Sequence, residues 1–342
     1  MNGGKNMKFL FLKILIIISI YTVLKIQHKF FWNKSELGFY QNISSLNYIK
    51  KKIEFNNDNN KFAIIQYRCK ICGLFSFYIY YLGCVGTYLS KGYIPIIDLS
   101  TFPNMFNGFK ENSSKNNPWE SFFSQPFGFS LKKVIKNAKY IKYFKCENIF
   151  RTYPDHKIYN NIVLMDFYHS ISSKYIPVKK EIISEANILI KKLFRKSKNV
   201  LGILARGTDY FARKPKYHPI PPNISTMIYD IKSFDIKYNY DFFFLSTEDD
   251  TIRKKLIKKF KHKLKYLKLQ KNTDYNFTSK QFLCYNRNIK ENFNFAKIYL
   301  INIIILSKCL DIISARTGGA IGLFILTKGF RNTKVYNLGR YK

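Results

Sequence analysis

The run Val200-Leu201-Gly202-Ile203-Leu204-Ala205-Arg206-Gly207-Thr208-Asp209-Tyr210 decides the fold. Five residues without a charge read as a strand buried on both faces, the form that a parallel sheet covered by helices requires. The strand breaks directly into a guanidinium, a glycine, a hydroxyl and an acid. Two later stretches repeat the grammar. Phe242-Phe243-Phe244-Leu245-Ser246 runs into Thr247-Glu248-Asp249-Asp250, and Ile312-Ile313-Ser314 into Ala315-Arg316-Thr317-Gly318-Gly319. Each is followed by a helical segment, the first of them from about Ile224, so the C-terminal half alternates strand and helix. In open α/β sheets, ligands lie beyond the carboxyl ends of the strands, so all three polar loops are expected on one rim.

Upstream, Phe62-Ala63-Ile64-Ile65-Gln66 is a short buried strand, Gly73 to Leu89 an apolar and aromatic helix, and Ile94 to Asp98 a second strand. Pro103 to Gly128 is loop-rich, Ile162-Val163-Leu164-Met165 reads as another strand, and Lys179 to Lys196 as a helix with a basic face. Phe293 to Leu306 reads as an apolar helix, and Ala320 to Leu326 as the last one. The expected architecture is α/β, with two doubly wound, Rossmann-like domains facing a cleft. The expected boundaries are a membrane anchor over 1–32, a linker over 33–60, an N-terminal domain over 61–197 and a C-terminal domain over 198–342.

The anchor rests on Phe9 to Leu24, apolar except for Lys13, Ser19, Tyr21 and Thr22, with lysines on both sides. It is shorter than the roughly 20 residues of a spanning helix. A signal-peptide core is the competing reading, but no small-residue cleavage site follows. The expected location is therefore the membrane. Lysines at both ends leave the face undefined.

The 342 residues carry a formal net charge of +37. Such a surplus attracts anions, yet the lysines are spread along the chain and no zinc-finger, KH or RRM pattern accompanies them. Nucleic acid is not an expected partner. Cys69-x-x-Cys72 is half of a zinc or redox pattern with nothing to complete it. The six cysteines read as small, mostly buried apolar residues.

Arg206, set directly after an apolar strand, needs an anionic partner: a diphosphate, or Asp209 in a pair that only ties the loop. Thr317-Gly318-Gly319 at a helix start offers N–H groups and a hydroxyl to an anion, or is a simple capping turn. Glu248, Asp249 and Asp250 suit contacts to a nucleoside or a favourable helix N-terminus. Asp209, His218 and Asp98 are the candidates for a general base.

These stretches resemble a known group. Gly202 to Tyr210 with His218-Pro219 downstream, Leu245 to Asp250, and Ser314 to Gly319 are similar, in order and spacing, to three motifs of the fucosyltransferase superfamily. Gly73-Leu74-Phe75-Ser76 and Asn117-Pro118-Trp119-Glu120 resemble segments of its bacterial surface-polysaccharide members. The resemblance implies a GT-B fold and an inverting, metal-independent glycosyltransferase without a cofactor. It also implies a nucleotide-sugar donor, GDP-fucose in the best-known members, and a glycan or glycolipid acceptor. By position, Arg206, Thr247, Glu248, Asp250, Arg316, Thr317 and Gly318 would bind the donor, and Arg206, Asp209 and His218 would serve catalysis. Two positions depart from the pattern: Leu204 replaces a frequent histidine, and Gly207 a frequent second basic residue. A non-catalytic sugar-binding protein with a degenerate donor site is the rival reading.

Overall fold

The structure is a computed structural model, and it describes residues 60–70, 72–111, 116–145, 154–267, 287–327 and 329–342. The side chains of Thr208, Asp209 and Ala212 lie outside this description, as do the expected anchor and linker, Cys146 and Cys284. Among the described residues, no helix is long and apolar enough to cross a membrane.

Two parallel sheets organise the chain. The first has the order β2-β1-β3, from β1 (Lys61–Gln66), β2 (Ile94–Asp98) and β3 (Tyr140–Lys145). The second has the order β6-β5-β4-β7-β8, from β4 (Val200–Leu204), β5 (Phe242–Ser246), β6 (Leu264–Tyr266), β7 (Asp311–Ala315) and β8 (Thr333–Tyr336). Strand order reverses at β4, which places the crevice of this sheet beyond the carboxyl ends of β4 and β7. The mixed α/β order with two parallel sheets is consistent with a GT-B fold.

The helices cover these sheets for reasons visible in their sequences. α1 (Leu74–Ser90) is apolar on nearly every side and almost wholly buried. Its Tyr78 and Tyr81 pack with Trp119 and Phe123, with ring centroids 4.5 to 5.4 Å apart. α2 (Leu131–Asn137) is short and begins at the Ser130 cap. The apolar run at 162–165 is not a strand but the first turn of α3 (Ile162–Tyr175), capped by Asn161. Leu164, Met165, Tyr168, Ile171, Ser172 and Tyr175 are its buried residues, a helical period that four residues read alone cannot reveal. α4 (Lys180–Phe194) ends with Phe194 against Phe242 and Phe244 of β5.

α5 (Thr208–Arg213) is a short helix inside the expected polar loop, and α6 (Ile224–Tyr238) follows at the Asn223 cap. α7 (Asp250–Phe260) starts at the Asp249 cap. α8 (Ile289–Leu306) begins four residues before the expected Phe293, because Asn288 and Glu291 form a capping box. α9 (Gly318–Leu326) is apolar throughout and packs against α1 and α3, so it is wrapped by the first half of the chain. Gly322 makes this possible, since a Cβ there would lie 2.0 Å from Phe75 Cδ1.

One cysteine pair departs from expectation. Cys69 and Cys72, both half-buried between β1 and α1, are joined in a disulfide rather than packed as apolar residues. The turn brings their Cα atoms to 5.6 Å, within the span that a disulfide bridges. Cys84 and Cys309 are buried thiols outside any disulfide, as expected.

Candidate active site

The ladder between β4 and β5 continues one residue past the strands, with Ala205 N–H donating to Ser246 O at 3.0 Å. Arg206 therefore leaves the sheet at the switch point. Its Nε lies 3.3 Å from Glu248 Oε1, and the same oxygen accepts the Gly207 N–H at 3.1 Å. The guanidinium carbon sits 5.0 Å from the centre of the Tyr210 ring. Glu248 is an ion-pair partner of Arg206, and the alternative pairing with Asp209 falls on a side chain outside the described residues. The Glu248 side chain is 6% exposed and that of Arg206 27%. A sealed carboxylate thus braces one edge of a cation whose side chain stays partly exposed.

This geometry reassigns the acids after β5. Glu248 pairs with Arg206 and accepts the Gly207 N–H. Asp249 caps α7 by accepting the Ile252 N–H at 2.9 Å, and its own N–H donates to Thr247 Oγ1 at 3.1 Å. Asp250 is half-exposed and paired with Arg253. Asp249 also explains Gly207, because a Cβ at 207 would come within 2.4 Å of Asp249 Oδ2. No larger residue, basic or otherwise, fits there.

On the other side of the crevice, Arg316 follows β7 with its guanidinium carbon 6.0 Å from the Tyr159 ring centre. Thr317 caps α9, its Oγ1 accepting the Ala320 N–H at 3.1 Å. The hydroxyl keeps its own proton to donate. The first-turn N–H groups of α9 have no intrahelical acceptor, and with the helix dipole they favour an anion. Gly318 lies beside Ser76 of α1, to which a Cβ would be 3.8 Å from Oγ. Arg316 Nε, Ser246 Oγ and Ser314 Oγ are buried with no hydrogen-bond partner among the described residues. Ser246 and Ser314 flank Leu204 in register, so both mark the floor of this crevice.

Four contributors escaped the sequence reading. Tyr299 of α8 is half-buried between the two loops. Burial raises its hydroxyl pKa, Arg206 pulls it down, and Glu248 pushes it up. Tyr159 is buried beside Arg316, and its hydroxyl donates to Thr317 O at 3.4 Å. His156 Nδ1 lies 3.3 Å from the Tyr159 hydroxyl. Arg340 arrives on the C-terminal segment, which hydrogen-bonds along the loop at 217–220: Tyr217 N–H donates to Tyr341 O, Tyr341 N–H to His218 O, and Ile220 N–H to Gly339 O. No local pattern marks these residues, because each reaches the site from a distant part of the chain.

Of the expected bases, Asp98 is excluded by its own bonds. It is buried and accepts from Gln66, Ser100 and Thr101, including Thr101 Oγ1 at 2.6 Å and Gln66 Nε2 at 2.7 Å. His218 is exposed, edge-on to Tyr210 at 5.5 Å, with Nδ1 3.1 Å from Lys216 O. The Asp209 side chain lies outside the described residues. No group of three His, Cys, Asp or Glu among the described residues could hold a metal ion.

The Gly319 position gives a direct test of this packing. A Cβ there would lie 1.9 Å from the Tyr299 hydroxyl oxygen and 3.0 Å from Cζ. Gly319→Ala is expected to destabilise the fold by about 1–3 kcal/mol through overpacking. Adding Tyr299→Phe should recover part of that loss, read as a favourable coupling in a urea double-mutant cycle.

No protein-family profile matches the chain, and no curated protein matches its sequence. Among solved structures, it is similar to NodZ alpha-1,6-fucosyltransferase soaked with GDP-fucose, with 11% identity over 78% of this chain and 93% of that one and a TM-score of 0.49. It is similar to fucosyltransferase NodZ from Bradyrhizobium, with 13% identity over 79% and 94% and the same TM-score of 0.49. It is also similar to POFUT1 in complex with GDP, with 9% identity over 81% and 99% and a TM-score of 0.43.

Proposed function

We propose that the protein is an inverting, metal-independent glycosyltransferase that moves a sugar from a nucleoside-diphosphate donor, GDP-fucose by the motif resemblance, to a glycan or glycolipid acceptor. The observation that carries this reading is the braced Arg206 facing Arg316 and the α9 N-terminus across one switch-point crevice. A nucleoside diphosphate leaving group gains negative charge as the bond to the anomeric carbon breaks. Preorganised cations and backbone N–H groups stabilise that charge without reorganising at the moment of reaction. Arg206 and Arg316 would hold the diphosphate from opposite sides, with Thr317 and Gly318 adding hydroxyl and N–H donors. In this reading the 198–342 half binds the donor, the 61–197 half faces the acceptor, and the apolar segment at 9–24 tethers the enzyme to a membrane where surface polysaccharide or glycolipid is built.

The test uses full-length protein and a panel of nucleotide sugars. One of them should raise the unfolding temperature by mass action. It should also slowly release nucleoside diphosphate at a rate unchanged by EDTA. A panel that shifts nothing refutes the proposal. A shift without release favours the sugar-binding reading, which Leu204 and the crowded Gly207 support.

A further inference from the structure

An inverting transfer needs a group to take the acceptor proton, and the structure holds one that the sequence did not single out. His156 lies just before α3, in a turn fixed by Asp155, whose Oδ1 accepts the Lys157 N–H at 2.8 Å. Its ring stacks on Tyr159 with centroids 5.6 Å apart, and Nδ1 is 3.3 Å from the Tyr159 hydroxyl. Tyr159 has one proton, and it donates that proton to Thr317 O at 3.4 Å. With that proton on Thr317 O, the Tyr159 oxygen accepts from Nδ1–H, the tautomer that leaves the lone pair on Nε2. Nε2 bonds none of the described residues. The relay ends on Thr317, the cap of the helix that faces the donor.

We propose, resting on the transferase reading above, that His156 is the catalytic base of the transfer and accepts the acceptor hydroxyl proton at Nε2. The acceptor O–H bond breaks as its proton goes to Nε2, and the oxygen pair forms the new bond to the anomeric carbon. The bond from that carbon to the diphosphate breaks with its electron pair remaining on the diphosphate. The imidazolium then returns its proton to water.

The surroundings add a coupling between donor and base. The charged groups facing His156 are Asp155 on its own segment, Arg316 after β7 and Arg340 on the C-terminal segment. Burial first, then the two guanidinium groups, lower its pKa to about 4, against the weaker opposite pull of Asp155. A diphosphate held by Arg206 and Arg316 neutralises the Arg316 charge, one of the two that oppose the imidazolium. Donor binding therefore strengthens the base, and the acceptor proton finds a taker only when the sugar is in place.

The experiment compares wild type, His156→Gln and His218→Gln in the full-length protein, with the nucleotide sugar that wild type turns over. His156→Gln should keep the donor-induced thermal shift yet lose about a hundredfold or more in transfer rate, the scale of a general base. His218→Gln tests the rival base on the loop at 217–220. Nitrogen-15 NMR of His156 should show the proton on Nδ1 and a pKa that rises when GDP is added. The acid limb of the transfer rate should be present in wild type and absent from His156→Gln. Transfer that survives His156→Gln, a loss that follows His218 instead, or a proton on Nε2 overturns the assignment of the base alone. Absence of turnover by wild type with every nucleotide sugar overturns the transferase reading first, and the base with it.

Discussion

Replacing Arg206 with alanine is expected to slow nucleoside-diphosphate release on the order of a hundredfold, the usual cost of removing one preorganised donor from a developing anion. The substitution has a second consequence, because Glu248 is 6% exposed and loses its cation. A buried carboxylate that loses a charged partner is destabilised, so Arg206→Ala should also lower stability by about 1–3 kcal/mol. The double variant Arg206→Ala/Glu248→Gln separates the two effects. Removing the orphaned charge should restore most of the stability and none of the turnover. Arg206→Lys keeps the charge but not the planar fork, and should fall between wild type and alanine. A loss below about threefold in Arg206→Ala removes this residue from the mechanism.

Why Arg206 was legible and its partner was not comes down to distance along the chain. The arginine announces itself by following five apolar residues, and the same rule finds the loops after β5 and β7. Glu248, which pairs with it, comes from the loop after the neighbouring strand, 41 residues after Gly207, too far along the chain for a local reading to connect. The buried strands β1, β2, β4, β5 and β7 carry continuous apolar runs and stand out for that reason. β3 and β8 lie at sheet edges, keep lysines and expose much of their length, so nothing in their composition separates them from loop. The helical period that decides α3 extends well beyond the four residues read as a strand. His156, Tyr159, Tyr299 and Arg340 are the extreme case. His156 and Tyr159 share one turn while Tyr299 and Arg340 come from two other segments, and only the packing of α9 between the halves gathers them.

The largest stability effect is expected far from this crevice, at Asp311. Its carboxylate is fully buried at the start of β7. It accepts from the Tyr240 hydroxyl, from Arg331, and from Asn332 N–H at 2.7 Å and Nδ2 at 3.1 Å. Burial alone would raise its pKa, but the bonds from Arg331, Tyr240 and Asn332 outweigh it and hold the carboxyl below its ordinary value. Asp311→Ala strands several donors at once, and should cost about 3 kcal/mol, the lower end for breaking a buried ion pair because Arg331 reaches solvent. The same residue sets one of two acid windows. A carboxyl whose folded pKa is depressed adds stability above its unfolded value, and that stability disappears as pH falls below about 4. His156 works in the window above: its depressed pKa makes the folded state refuse a proton that the unfolded chain accepts, so stability declines between about pH 6.5 and 4. Urea midpoints measured across both ranges should therefore show His156→Gln flattening the upper slope and Asp311→Asn the lower one. If Asp311→Asn left the slope below pH 4 unchanged, this carboxylate would not be the buried charge that the acid limb titrates.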